Sequence, residues 1–200
     1  MVTIVRIPSW VWLIVILVTA VSATAGESGQ DRVYLFRGAG GYLSKSEGRV
    51  VGKFKARGMD VVSFKYHERS NAAKEIARAY KNGELPDGIV LVGYSLGASA
   101  VVRISRKLEN QGIPVRLLFV IETCNPLQTI PTNVEEAFVF YHVPALVGHN
   151  LRADSTETKL TRCNFYRDAG FGIEFTHFLI PFLNEVHEYA ASELEKAMNR

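Results

Sequence analysis

The chain has 200 residues, of which 48% are hydrophobic and 22% charged, and a formal net charge of +3. This length suits one domain with a full core, and this balance excludes a disordered chain. The 23 lysines and arginines are scattered, with no long basic run and no interleaved aromatics, so nothing points to nucleic acid.

The first 25 residues differ from the rest. Arg6 is the only charge before Glu27, and Trp10 to Val21 form an apolar core. The small residues Ala23-Thr24-Ala25 follow. A cationic start, an apolar middle and an A-x-A ending match a secretory signal peptide cleaved after Ala25. The expectation is an exported protein, periplasmic or secreted, with a single domain over residues 26–200. The alternative is an uncleaved anchor. The run from Ile4 to Ala23 approaches the roughly 20 apolar residues that span a bilayer, and it is the one route to a membrane that the sequence offers.

Beyond that segment, strands and helices alternate. Arg32 to Gly38 reads as a buried strand ending in glycine. Lys45 to Arg57 has helical spacing and stops at Gly58; Asp60 to Tyr66 is a second strand; Asn71 to Lys81 is a helix closed by Gly83. Gly88 to Tyr94 is the third strand, Leu96 to Gln111 the third helix, Pro114 to Glu122 the fourth strand and Ala137 to His142 the fifth. Pro181 to Met198 is a terminal helix with proline in its first turn. Val143 to Thr176 has few periodic elements and is expected to be a long connection that partly covers a cleft. This order predicts an α/β fold: a mostly parallel sheet of about five to six strands with helices on both faces. Right-handed crossovers then gather the carboxyl ends of the strands on one edge, where open sheets of this kind bind ligands.

Gly93-Tyr94-Ser95-Leu96-Gly97 falls where the third strand becomes the third helix. Gly-x-Ser-x-Gly at such a junction is a nucleophile-elbow pattern. The serine is lifted clear of the sheet on a strained turn, the glycines leave room for the adjacent strand, and the helix start aims free N–H groups at the site. The alternative is a serine that caps the helix in a tight turn. An acyl-transfer site also needs N–H donors for an oxyanion. Leu96 would supply one, and Ala39 or Gly40, in the glycine-rich segment after the first strand, another. His177, before the terminal helix, is the expected base, with His142 in reserve. Glu122 ends a nearly all-apolar strand and needs a partner, which makes it the expected orienting acid. Asp168 and Asp154 are its rivals. Tyr94 and His67 are candidate cleft-lining residues. Cys124 and Cys163 are the only cysteines. They form a candidate disulfide, whose loop closure would add about 4 kcal/mol, and two cysteines make no zinc site.

The GYSLGA segment, the FRGAGG loop, Glu122 after the strand that follows the elbow helix, and His177 before the last helix together resemble the α/β-hydrolase superfamily. The resemblance covers most of Asp31 to Arg200 and implies a small, capless, lipase- or thioesterase-like member on a reduced fold that begins near the superfamily's third strand. It implies a serine hydrolase with a Ser95, His177 and Glu122 triad acting on a small-molecule acyl ester or thioester, with no metal or organic cofactor. Arg37 stands where a histidine often precedes the oxyanion glycines, and the acid lies one strand earlier than usual. Two other readings share the fold: an exported, non-catalytic binding module, and an acyltransferase that passes the same acyl group to an acceptor other than water.

Overall fold

The computed structural model describes residues 32–38, 44–85, 88–125, 128–141, 150–170 and 184–199. The expected signal segment lies outside them, as do Ala39, Gly40, His142 and His177. Eight strands are present among the described residues: β1 (Arg32–Arg37), β2 (Asp60–Lys65), β3 (Val90–Tyr94), β4 (Val115–Ile121), β5 (Thr129–Ile130), β6 (Val134–Tyr141), β7 (Arg152–Ala153) and β8 (Lys159–Asn164). The helices are α1 (Ser44–Ala56), α2 (Arg69–Lys81), α3 (Leu96–Glu109) and α4 (Asn184–Met198).

Six strands form one sheet in the order β2-β1-β3-β4-β6-β8, and every neighbouring pair is parallel. The parallel sheet expected from the alternation of elements is therefore present. Strand β4 explains why it was legible: a strand covered on both faces must be apolar at nearly every position, and five of its last residues, Leu117 to Ile121, are all buried. Alternate residues then feed two cores. On one face Tyr34, Phe36, Leu91, Leu118, Val120 and Val139 meet α2 and α3, whose contributions include the small side chains Ala72, Ala73, Ala98 and Ala100. On the other face Val33, Val92, Phe119, Phe138 and Phe140 meet α1 and α4 through Phe54, Val186, Ala191 and Leu194.

The two cores are packed differently. Small alanines let α3 lie close against the central strands. The opposite core is filled by aromatic rings: Phe119 stacks on Phe138 at 4.7 Å between centroids, and Tyr189 of α4 meets Phe140 edge-on at 6.0 Å. Each fully buried phenylalanine contributes about 1.5–3 kcal/mol. Helices α1 and α4 are also tied at their outer surface, where Lys53 and Arg57 both pair with Glu188.

Three sequence expectations are corrected. Strand β8, in the stretch expected to lack periodic elements, is a full edge strand against β6; three of its six residues are exposed, so it lacks the apolar run that marks the inner strands. Strand β6 starts at Val134 rather than Ala137. The candidate disulfide is absent: neither Cys124 nor Cys163 is in a disulfide. Cys124 follows β4, Cys163 lies on β8, and β6 runs between them. Two strand spacings are about 10 Å, beyond the roughly 7 Å over which a disulfide can join two Cα atoms. The Cys163 sulfur instead lies 3.2 Å from the hydroxyl of Tyr189, and burial pushes its thiol pKa up.

Candidate active site

The order of strands decides what can meet. Strand β3 is flanked by β1 and β4. Its carboxyl end therefore stands between the segment that leaves β1 at Gly38 and the one that leaves β4 at Glu122. Three pieces distant in the chain share one rim.

Ser95 occupies the junction of β3 and α3 with φ 57° and ψ −118°. This is a region that residues with a side chain avoid, at a cost of order 1–3 kcal/mol. The surroundings impose it. The Ser95 N–H donates to the Ile121 carbonyl at 2.9 Å, extending the β3–β4 ladder by one residue, and its carbonyl accepts from the Ser99 N–H at 3.2 Å, beginning α3. A residue that finishes a strand and starts a helix in a single step has no ordinary conformation available. Its side chain makes no capping hydrogen bond to the helix, which overturns the reading of Ser95 as a helix cap. The hydroxyl lies 3.3 Å from the sulfur of Cys124 instead.

The two glycines of the motif have separate steric reasons. A Cβ on Gly93 would fall 2.4 Å from the Gly97 carbonyl oxygen, and one on Gly97 would fall 2.0 Å from the carbonyl oxygen of Phe36. The first glycine lets the helix fold back over its own strand; the second lets its first turn rest on β1. Gly38, the last described residue of the segment leaving β1, also abuts the elbow: a Cβ there would lie 3.1 Å from the Cβ of Ser95. The segment containing Ala39 and Gly40 begins at this contact. Leu96 is the first residue of α3. Its N–H is one of those a helix start leaves without an intrahelical partner.

Glu122 follows β4 directly. It is 5% exposed, and its φ of 54° makes it the other described non-glycine residue, with Ser95, in the left-handed region. Its N–H donates to the Phe140 carbonyl at 2.9 Å, which keeps it on the sheet edge. Tyr94, half-buried beside the elbow, has its phenol pKa driven up, first by burial and then by the nearby charges of Glu122 and Cys124. Tyr94 precedes Ser95 at the end of β3, and Glu122 and Cys124 follow β4, the strand paired with it.

The remaining candidates are spread more widely. His67 lies in a 3-10 turn, Tyr66–Glu68, beyond edge strand β2; it is exposed, and its ring meets Tyr66 edge-on at 5.4 Å. That turn packs against α3, the helix that follows Ser95. Asp154 is not at the rim. It pairs with Arg106 at 2.6 Å, and Arg106 stands in the last turn of α3, about 16 Å along the helix from Ser95. Asp168 closes the turn after β8, accepting from the Asn164 N–H at 2.8 Å and pairing with Arg167 at 2.8 Å. Glu122 is thus the candidate acid that directly follows a strand paired with β3, whereas Asp168 follows β8, two strands beyond β4 on the same edge of the sheet. His177, the expected base, and His142 are among the residues not described. Cys124 was read only as a disulfide partner. Its place two residues past Glu122, in the same strand-end segment, was the available signal that it belongs to this rim.

No family model matches the sequence, and no curated protein matches it significantly. Solved structures do resemble it. One, described as RedJ with a PEG molecule bound in the active site, is 14% identical, covers 83% of this chain and 91% of its own, and superposes with a TM-score of 0.52. Another, the ester-hydrolase EH1AB1 from the metagenome of Lake Arreo complexed with a derivative of bipyridine phosphonate, is 11% identical, covers 88% of this chain and 77% of its own, and gives 0.56. Identities this low bear on the fold alone. An all-parallel six-stranded sheet with a serine elbow at a central strand, superposing on these two structures over most of its length, has the α/β-hydrolase fold in reduced form.

Proposed function

We propose that the protein is a serine hydrolase that cleaves an ester or thioester through an acyl-enzyme on Ser95. The observation that carries this reading is the conformation of Ser95. A left-handed serine between two sterically required glycines, whose hydroxyl makes no capping bond to its own helix, is held in a conformation that costs stability. A nucleophile is the use that such strain serves. The likeness to a named ester-hydrolase is in keeping with this reading.

In the proposed mechanism His177 accepts the Ser95 proton as the hydroxyl oxygen attacks the acyl carbonyl. The oxyanion receives hydrogen bonds from the N–H of Leu96 and from the Ala39–Gly40 segment, supported by the positive end of the α3 dipole. The intermediate collapses; the departing alcohol or thiol takes the proton from His177, and the acyl group stays on Ser95. Water then attacks the acyl-enzyme, His177 takes its proton, and Ser95 leaves with that proton as the carboxylic acid forms. Glu122 holds His177 in the required tautomer and stabilises its charged form. We further propose that the protein is exported behind its amino-terminal signal segment.

The test is labelling of the full chain by a fluorophosphonate probe. Wild type is expected to label, and Ser95→Ala to lose labelling and at least about 10^4-fold of ester turnover while keeping its circular dichroism spectrum. A well-folded wild-type protein that does not label would sink the reading and leave a non-catalytic binding module on the same fold.

A further inference from the structure

The reading above requires Glu122 to stay at a fixed position relative to Ser95, yet the backbone of Glu122 is in a region it would leave if free to do so. The residue after it supplies a restraint. Thr123 is 1% exposed, and its hydroxyl lies 3.0 Å from the hydroxyl of Ser99, itself 8% exposed. Ser99 sits one turn into α3, where its N–H already binds the Ser95 carbonyl. The Thr123 hydroxyl oxygen also accepts from the Asn125 N–H at 3.4 Å, and Gln128 donates from Nε2 to the Ser99 carbonyl at 3.0 Å. The segment carrying Glu122 and Cys124 is therefore fastened, at several points, to the first turns of the helix that carries the nucleophile.

We infer that the Ser99–Thr123 hydroxyl pair is a positioning device for the orienting acid. The argument has two steps. A polar pair this deeply buried between a helix and a loop must be satisfied internally, so each hydroxyl fixes the other. The pair also stands next to each of the two left-handed residues: Thr123 adjoins Glu122, and Ser99 donates its N–H to the Ser95 carbonyl. Without it, the chain beside Glu122 loses this side-chain tie to α3. The carboxylate then relaxes away from the position in which it can align a base. Thr123 touches no reacting atom; it acts through Glu122, and this role rests on the serine-hydrolase reading.

The experiment compares the full chain as wild type, Thr123→Val, Thr123→Ser and Thr158→Val for fluorophosphonate labelling rate and for kcat and KM on a p-nitrophenyl ester. Thr158 is a control of similar burial: its hydroxyl donates to the Val134 carbonyl at the start of β6, the sheet end opposite the site. Thr123→Val is expected to lower kcat and labelling rate about tenfold, the effect of one misplaced hydrogen-bonded group, with KM unchanged. Thr123→Ser is expected to restore both, and Thr158→Val to leave both unchanged. Should Thr123→Val not fold, Ser99→Ala removes the other hydroxyl and is expected to show the same kcat loss. Wild-type rates in these variants, or an equal loss in Thr158→Val, would overturn the positioning role. A wild type that neither labels nor turns over the ester would instead overturn the hydrolase reading, and the inference with it.

Discussion

The two ends of α3 differ sharply in how their polar groups are treated. At the carboxyl end, Arg106 binds Glu109 at 2.8 Å, the Thr129 hydroxyl at 3.1 Å and Asp154 at 2.6 Å. Glu109 accepts at 2.7 Å from both the N–H and the hydroxyl of Thr132, and Asn133 closes the corner on the Ile113 carbonyl. At the amino end, Ser95 makes no cap, two residues on the same rim take positive φ, and three glycines are in tight contact. One end of the helix is densely hydrogen-bonded and the other is strained. Strain of this kind persists only where the rest of the fold overdetermines it. The densely bonded end, which joins α3 to β5 and β7, anchors the helix against which the strained end is built.

The largest expected effect tests whether the strained end is imposed by sterics. Gly97→Ala drives a Cβ into the Phe36 carbonyl, backbone against backbone, and is expected to cost about 3 kcal/mol or more of stability in a denaturant titration. A neutral result would mean that helix and strand do not meet as described. A smaller effect separates strain from chemistry. Ser95→Gly and Ser95→Ala both remove the hydroxyl, but only glycine accepts φ 57° without penalty. The glycine variant is expected to be more stable than the alanine variant by about 1 kcal/mol, with both inactive; equal melting temperatures would show that Ser95 is not strained.

The smallest effect belongs to the densely bonded end. Asp154→Asn is expected to lower stability by about 0.5–1 kcal/mol at neutral pH, since the pair is partly exposed and screened, and to leave labelling unchanged. Arg106, by its hydrogen bond first, holds the Asp154 carboxyl below its ordinary pKa. The sign follows: the stabilisation is full above the unfolded aspartate pKa of about 3.9, and it fades as pH falls through the lower folded value. Wild type and variant should therefore converge in acid. A constant difference would assign the effect to packing.

Much of the fold was legible because buried parallel strands leave a mark that needs no partner to interpret. Val115 to Ile121 is apolar almost throughout, and glycines punctuate the helix ends. The elbow was legible because its spacing is dictated by local sterics. Strand β8 was not: an edge strand owes its place to backbone pairing with β6, and Lys159 to Arg162 could equally have been a loop. Cys124 beside Ser95 and Thr123 against Ser99 were also hidden. Those contacts depend on which strand neighbours which, and a single sequence does not state that order. The disulfide expectation failed for the same reason, since two cysteines carry no record of the strand between them.

The contact of Gly97 with the Phe36 carbonyl has a consequence in time. The elbow's conformation is held by β1, which precedes it in the chain, and by β4, which follows it. Neither local helix formation nor the GYSLG segment alone can close it. Contacts between such distant segments carry loop-closure entropy and form slowly in parallel sheets. Ser95 therefore reaches its strained geometry only after β1, β3 and β4 have paired, so a partly assembled chain holds an ordinary, relaxed serine.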